Sequence, residues 1–179
     1  MVTPVEPPPE PHDRLTDPRD LLGGYLDFYR ETLLRKLDGL SEKELRTSVL
    51  PSGWTPLELL THLTHVEIRW LRWGFAAEPV AEPWGDRGPG DRGPEDRWHV
   101  PDDETPERLR AAFLETCERS REIVAAAGLG EFGRVGGRFD DAATAPSLIW
   151  ILFHVLQEYT RHLGHLDVAR ELTDGVVGE

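Results

Sequence analysis

The stretch LIWILFHVLQEYTRHLGHLDVAREL, residues 148–172, has the longest unbroken helical periodicity in the chain and contains three of its seven histidines. On a helix with about 3.6 residues per turn, these histidines all point within about 40° of Glu158. The polar members of this stripe are Glu158, His154, His162 and His165, and its apolar members are Ile151, Val155, Ala169 and Leu172. The stripe therefore has the character of a face buried in a core. Polar groups on such a face must be paired or must bind an ion, because an unpaired buried charge costs several kcal/mol.

The composition limits the classes of partner. The chain has 179 residues, which fits one domain, and a formal net charge of −13. Such an acidic chain is not expected to bind nucleic acid or an anionic membrane through charge alone. Cys117 is the only cysteine, which excludes an intramolecular disulfide, a Cys-x-x-Cys motif and a thiolate zinc cluster. The amino-terminal segment lacks the apolar core of a signal peptide, and we expect a cytoplasmic protein.

The apolar pattern separates a tail from one helical domain. Residues 1–16 are rich in proline and acidic groups and predict a disordered tail, whereas residues 17–174 carry the domain. Apolar residues three and four positions apart predict long helices over residues 17–38, 55–73 and 105–127 and from residue 146 onward. No pair of strands is convincing. The pattern therefore predicts an all-α fold, a four-helix bundle with long irregular loops.

The longest predicted loop covers residues 77–104. It contains the unit Gly-Asp-Arg-Gly-Pro twice, in GDRGPGDRGPED. Glycine and proline at this density are incompatible with a helix or a central strand, so we predict a mobile loop. The sequence leaves open whether this loop is a lid over one end of the bundle or an insertion without a role.

Three side chains form a candidate metal site. Glu158 and His162 are four residues apart on successive turns, so both can reach one ion. His62 lies about 70° from the centre of the apolar stripe of the second helix, closer than His65 at about 130°. Two histidines and one carboxylate leave a fourth position of a zinc-like ion open for chemistry. The competing ligands are His65, His154 and His165. The alternative interpretation is that each histidine is a packed core residue bonded to a carbonyl group.

Other polar and aromatic residues have weaker functional interpretations. Arg69 and Arg161 can hold an anionic substrate, but solvated surface ion pairs are the more frequent role of such arginines. Cys117 has no adjacent histidine or cluster of cations to lower its pKa, so we do not expect it to act as a nucleophile. We expect three tryptophans to lie in the core rather than to form a substrate shelf, namely Trp70, Trp73 and Trp150.

The segments HLTHVEIRW (62–70) and WILFHVLQEYTRHLGHLDVAREL (150–172) resemble the DinB/YfiT-like superfamily. The resemblance is closest to its uncharacterised actinobacterial branch related to mycothiol-dependent enzymes. It implies a four-helix bundle with a divalent metal, zinc or nickel, held by His62, Glu158 and His162. The commoner pair in the superfamily is His-x-x-x-His. A glutamate at position 158 instead resembles the mycothiol-dependent maleylpyruvate isomerase group.

The same resemblance implies a function. It suggests a metal-dependent thiol S-transferase or isomerase, in which the metal activates a low-molecular-weight thiol such as mycothiol toward an electrophile. Members are often dimers, so a homodimer is also an expectation. Two rivals remain open. One is a metal-dependent hydrolase that uses a metal-bound water, and the other is a non-enzymatic metal-binding module of a stress response.

Overall fold

A computed structural model describes residues 7–88 and 97–177, and within these ranges the chain forms helices and no β-strand. The helices are α1 (Pro18–Leu37), α2 (Glu42–Leu45), α3 (Pro56–Glu67), a π-helix (Ile68–Phe75), α4 (Pro106–Ala125) and α5 (Leu148–Asp174). The all-α prediction is confirmed. The four long α-helices correspond to the four predicted ones, with α5 packed mainly on α1 and α3 mainly on α4.

The start of α3 is fixed by a capping box. The Thr55 hydroxyl accepts a hydrogen bond from the Glu58 amide at 3.2 Å, and the Glu58 carboxylate accepts one from the Thr55 amide at 2.7 Å. Pro56 occupies the first turn, where it costs no backbone hydrogen bond. The box therefore sets the phase of the helix that carries His62 two turns later.

The second half of the predicted helix 55–73 is wound as a π-helix, with hydrogen bonds to the fifth residue back instead of the fourth. The loop before α5 docks on its last turn. Arg134 and Arg138 donate backbone hydrogen bonds to the carbonyls of Phe75 and Trp73 at 3.0 and 3.1 Å. Gly137 allows this approach, because a β-carbon there would lie 2.0 Å from the Trp73 carbonyl oxygen.

The core of the bundle contains a buried polar network as well as leucines. The carboxylate of Glu67 is fully buried and accepts hydrogen bonds from Arg30 Nε at 2.9 Å and from the Tyr159 hydroxyl at 3.0 Å. These three residues belong to α3, α1 and α5. The network thus fixes how α3 and α5 align. The same alignment positions Glu158 and His62 relative to each other. Tyr159 directly follows Glu158, and Glu67 follows His62 by little more than one turn.

The buried stripe of α5 is shorter than the sequence predicts. Ile151, Val155 and Ala169 are buried, as expected, but Leu172 is 61% exposed. The expectation for Leu172 was wrong because α5 reaches the end of α1 before this residue. Arg170 already contacts the carbonyls of Lys36 and Asp38 there.

Parts of two predicted segments lie outside the described residues, namely 1–6 of the tail and 89–96 of the loop. Of the tail, Pro11 lies beside Gly24 of α1, where a β-carbon would be 2.9 Å from the Pro11 ring. The boundary between tail and domain at residue 16 stays a prediction. In the part of the chain that the structure covers, no helix combines the length and apolar character needed to cross a membrane.

Candidate metal centre

His62 of α3 meets Glu158 and His162 of α5 in one cluster. Each residue offers one ligand atom, and these atoms all lie within 4.8 Å of one another. Glu158 Oε2 is 3.2 Å from His162 Nε2 and 3.9 Å from His62 Nε2. Bonds of about 2.1 Å to a tetrahedral ion place ligand atoms about 3.4 Å apart. The donor types and the spacing therefore fit a divalent transition-metal ion.

The orientation of His62 also fits a metal ligand. Its Nδ1 atom lies 2.9 Å from Asp86 Oδ2. Its Nε2 atom is buried and has no hydrogen-bond partner among the described residues. A buried polar nitrogen without a partner costs about 1–3 kcal/mol. The orphaned nitrogen faces the carboxylate of Glu158, where an ion would satisfy it.

Asp86 is a functional candidate that the sequence reasoning missed. It is fully buried, and its second oxygen, Oδ1, accepts a hydrogen bond from Arg69 Nη1 at 2.6 Å. Burial alone would raise the pKa of Asp86, but the hydrogen bonds from His62 and Arg69 outweigh it and lower this pKa to about 2. Asp86 is therefore ionised and accepts a hydrogen bond from the Nδ1–H group of His62. Such a carboxylate–histidine pair leaves Nε2 free to bind a metal.

The charge state of the cluster is set by its hydrogen bonds. His154 Nε2 lies 3.4 Å from the other carboxylate oxygen of Glu158, Oε1. Hydrogen bonds from His154 and His162 hold the pKa of Glu158 far below its usual range, so this side chain is an anion. Burial lowers the pKa of His162 despite the nearby carboxylate. An anionic glutamate and a histidine whose pKa is lowered both favour metal binding, because a metal ligand must be deprotonated.

Residues on both sides of the undescribed segment 89–96 contact His62. Asp86 precedes this segment, and Trp98 follows it and stacks on the imidazole of His62, with ring centroids 4.0 Å apart and planes 18° apart. The edge of Trp98 also meets His162 at a centroid distance of 5.2 Å. The described ends of the predicted loop thus form part of the site. The two alternatives for residues 77–104, a lid or an insertion without a role, both stay predictions.

The other candidate ligands lie outside the cluster of three. His65 packs beside Gly85, whose β-carbon would lie 2.7 Å from the His65 ring, and burial lowers the pKa of this histidine. His165 is exposed, with its ring centroid 6.2 Å from that of His162. His154 contacts Oε1 of Glu158, whereas His62 and His162 both face the other oxygen, Oε2.

Two expectations about charged and aromatic residues were wrong. Arg69 is 4% exposed and pairs with buried Asp86, so it forms no surface ion pair. Trp150 is 50% exposed and therefore lies outside the core. Arg161 is exposed, as expected for a surface arginine. Cys117 is buried, and burial raises the pKa of its thiol to about 12, which agrees with the prediction that it is no nucleophile.

Comparison with known proteins identifies the family. A search of curated proteins found no match to this chain. Residues 21–175 match the family described as MST, mycothiol-S-transferase. The match covers most of the chain and includes all three residues of the cluster. This family lies within the DinB/YfiT-like superfamily, which segments 62–70 and 150–172 resemble. The chain therefore belongs to the mycothiol-S-transferase family.

Proposed function

We propose that this protein is a metal-dependent S-transferase that uses mycothiol, with His62, Glu158 and His162 as the metal ligands. The observation that carries the proposal is the buried Nε2 atom of His62, which has no hydrogen-bond partner in the described part of the chain and faces an ionised glutamate and a second histidine. Zinc and nickel both suit a site of imidazole and carboxylate ligands. Family membership supports the thiol substrate.

The surrounding residues have distinct roles in this proposal. When bound, a divalent ion would lower the pKa of a coordinating thiol and hold it as a thiolate. The hydrogen bond to Asp86 keeps the proton of His62 on Nδ1, so that Nε2 is the atom that faces Glu158 and His162. His154 holds one oxygen of Glu158 and leaves the other directed at His62 and His162. Trp98 covers one face of His62 and keeps water from that side.

The reaction joins the thiol to an electrophile. The sulfur attacks an electrophilic carbon, a carbon–sulfur bond forms, and the leaving group departs with its electron pair while the thiol proton passes to solvent. The nucleophile comes from outside the protein, because the one cysteine is buried and its thiol pKa is raised to about 12. An external thiol is the natural alternative.

We also propose that the protein acts in the cytoplasm as a homodimer on small molecules, with neither nucleic acid nor a membrane as a partner. Exposed large apolar side chains of α5 support the dimer, since Phe153, Val168 and Leu172 are 58, 50 and 61% exposed. Analytical ultracentrifugation tests this directly: a sedimentation coefficient of a dimer is expected, and a monomer at all concentrations contradicts it.

A thiol-transfer assay tests the function. Metal-loaded protein is incubated with mycothiol, bacillithiol or glutathione and 1-chloro-2,4-dinitrobenzene. We expect S-conjugate formation by the wild type and a loss on the order of 100-fold in His162→Ala, since even residues behind the ligands affect activity by 10- to 100-fold. His165→Ala, three residues further on the same helix, is the matched control and should stay active. Absence of transfer with every thiol, or thiol-independent hydrolysis of an ester, refutes the proposal.

A further inference from the structure

Arg138, in the loop before α5, carries a positive charge that has no counter-ion within residues 7–88 and 97–177. Its guanidinium carbon lies 4.0 Å above the ring of Trp70. Its Nη1 atom is buried and has no hydrogen-bond partner, and no carboxylate of residues 7–88 or 97–177 lies within ion-pair distance of it. The pKa of Arg138 is lowered by burial and by the positive charge of Arg69.

This arrangement differs from that of the fully buried arginines. In the described part of the chain these are Arg30, Arg69 and Arg170, and they pair with Glu67, Asp86 and Asp174. A charge taken out of water is costly unless it is paired. The aromatic face of Trp70 offsets only part of that cost. A half-buried guanidinium in this position therefore points to an anion that completes the pair.

Aromatic rings connect Arg138 with the candidate metal centre. The ring centroid of Trp70 is 4.3 Å from that of His154, which in turn contacts the carboxylate of Glu158. Trp150 stacks on the other side of His154, at 5.2 Å and 10°, and is 50% exposed. The rings of Trp150, His154 and Trp70 thus form a row of contacts that joins the carboxylate of Glu158 to the guanidinium of Arg138.

The backbone holds Arg138 in place independently of its side chain. Its amide donates to the Trp73 carbonyl at 3.1 Å, and the adjacent Gly137 packs against the same carbonyl. The guanidinium is therefore not needed to anchor the loop. Its position is available in advance for a ligand, which lowers the ordering cost of binding.

We propose that Arg138 binds a carboxylate of the substrate whose reacting group lies at the metal centre. The inference rests on the proposed function, for which it names a substrate class. A guanidinium binds a carboxylate through two parallel hydrogen bonds, and one positive charge that no described carboxylate neutralises matches one monoanion. Arg69 is not an equivalent site because Asp86 already neutralises it. The carboxylate belongs to the electrophile, because the cysteine carboxyl of mycothiol is bound in an amide and this thiol has no free carboxylate.

A binding titration tests the site without relying on turnover. Tryptophan fluorescence is followed while benzoate, or its neutral analogue benzamide, is added to wild type, Arg138→Gln and Arg138→Lys. We expect saturable benzoate binding that weakens at least tenfold in Arg138→Gln and less in Arg138→Lys, with no effect of either change on benzamide. Arg134→Gln, an exposed arginine of the same loop, should bind benzoate as the wild type does. Equal benzoate affinity of wild type and Arg138→Gln overturns the proposal.

Kinetics then test whether the electrophile carries the carboxylate. With one thiol, 4-chloro-3-nitrobenzoate is compared with 4-chloro-3-nitrobenzamide. If the electrophile carries the carboxylate, Arg138→Gln raises KM at least tenfold for the benzoate and leaves the benzamide unchanged. A KM that rises for glutathione with both electrophiles, and stays unchanged for the benzoate, contradicts the proposal, because Arg138 would then bind a carboxylate of that thiol. Unchanged KM values for both electrophiles and for glutathione contradict the proposal. Absence of turnover in the wild type refutes the transferase function, and the benzoate titration alone then tests Arg138.

Discussion

Replacing Asp86 by asparagine removes a charge that two buried side chains share and keeps the size of the residue. Asp86 is fully buried, and it accepts hydrogen bonds at 2.6 Å from Arg69 and at 2.9 Å from His62. Removing one partner of a buried ion pair costs about 3–5 kcal/mol, because the other charge stays buried without compensation. We expect Asp86→Asn to lower the free energy of unfolding of the metal-free protein by about 3 kcal/mol.

The pH dependence of this loss follows from the pKa of Asp86. The folded-state value of about 2 lies below the ordinary 3.8, so ionised Asp86 stabilises the fold above about pH 4, and this contribution disappears as the pH falls toward 2. The shift corresponds to about 2 kcal/mol, of which about 1 kcal/mol is lost between pH 5 and pH 3. The stability difference between wild type and Asp86→Asn should therefore narrow by about 1 kcal/mol over that interval.

Urea unfolding followed by circular dichroism, in the presence of a chelator, measures both quantities. Asp103→Asn changes an exposed aspartate near the third long helix and serves as the control, with an expected effect within about 0.5 kcal/mol. Coincident unfolding curves for wild type and Asp86→Asn at pH 7 would refute the buried carboxylate–arginine pair. A stability difference that widens from pH 5 to pH 3 would refute the assigned direction of the pKa shift.

Three further expectations follow from the bundle and its loops. Glu67→Gln leaves buried Arg30 with only the partly exposed Asp27 as a counter-ion and should lower the free energy of unfolding by about 3 kcal/mol in urea titrations; a loss below 1 kcal/mol contradicts the network. Gly137→Ala, whose β-carbon would lie 2.0 Å from the Trp73 carbonyl oxygen, should lower the melting temperature, and an unchanged value argues against this loop contact. The buried thiol of Cys117, with its pKa raised to about 12, should react with Ellman's reagent only after unfolding, so rapid labelling of the native protein contradicts its burial.

The helices and the three candidate ligands could be predicted from the sequence, because helix capping and helical periodicity depend on residues that are close together in the chain. A capping box with Thr55 begins α3, and the helical period places Glu158 and His162 on one side of α5. The inward direction of His62 follows from the same period. Once two amphipathic helices bury their apolar faces together, the polar residues on those faces must meet.

The loop residues of the site were not predictable from spacing. Asp86 and Trp98 lie in a segment without periodicity, and the unit Gly-Asp-Arg-Gly-Pro occurs twice there, so nothing local distinguishes Asp86 from Asp91. Tertiary contacts with His62 and Arg69 select it. One indication was available: a histidine expected to bind a metal needs an acceptor for its other ring nitrogen.

The π-helix explains the position of Trp70 near the candidate metal centre. Its wider winding changes the direction of side chains after Ile68. Trp70 therefore contacts His154 and Trp150 near the metal centre, and it supports Arg138 on its ring. A helical wheel with a constant 3.6-residue period cannot show this change. The contact depends on a loop more than sixty residues away along the chain.

Metal content measured by elemental analysis tests the central claim most directly. The protein is purified without an affinity tag or chelator, as wild type, His62→Ala, His162→Ala and the control His165→Ala. The proposed ligand set predicts about one equivalent of zinc or nickel per chain in wild type and His165→Ala, and its loss in the other two variants. Metal that is absent from the wild type, or retained in both His62→Ala and His162→Ala, would contradict the proposed metal centre.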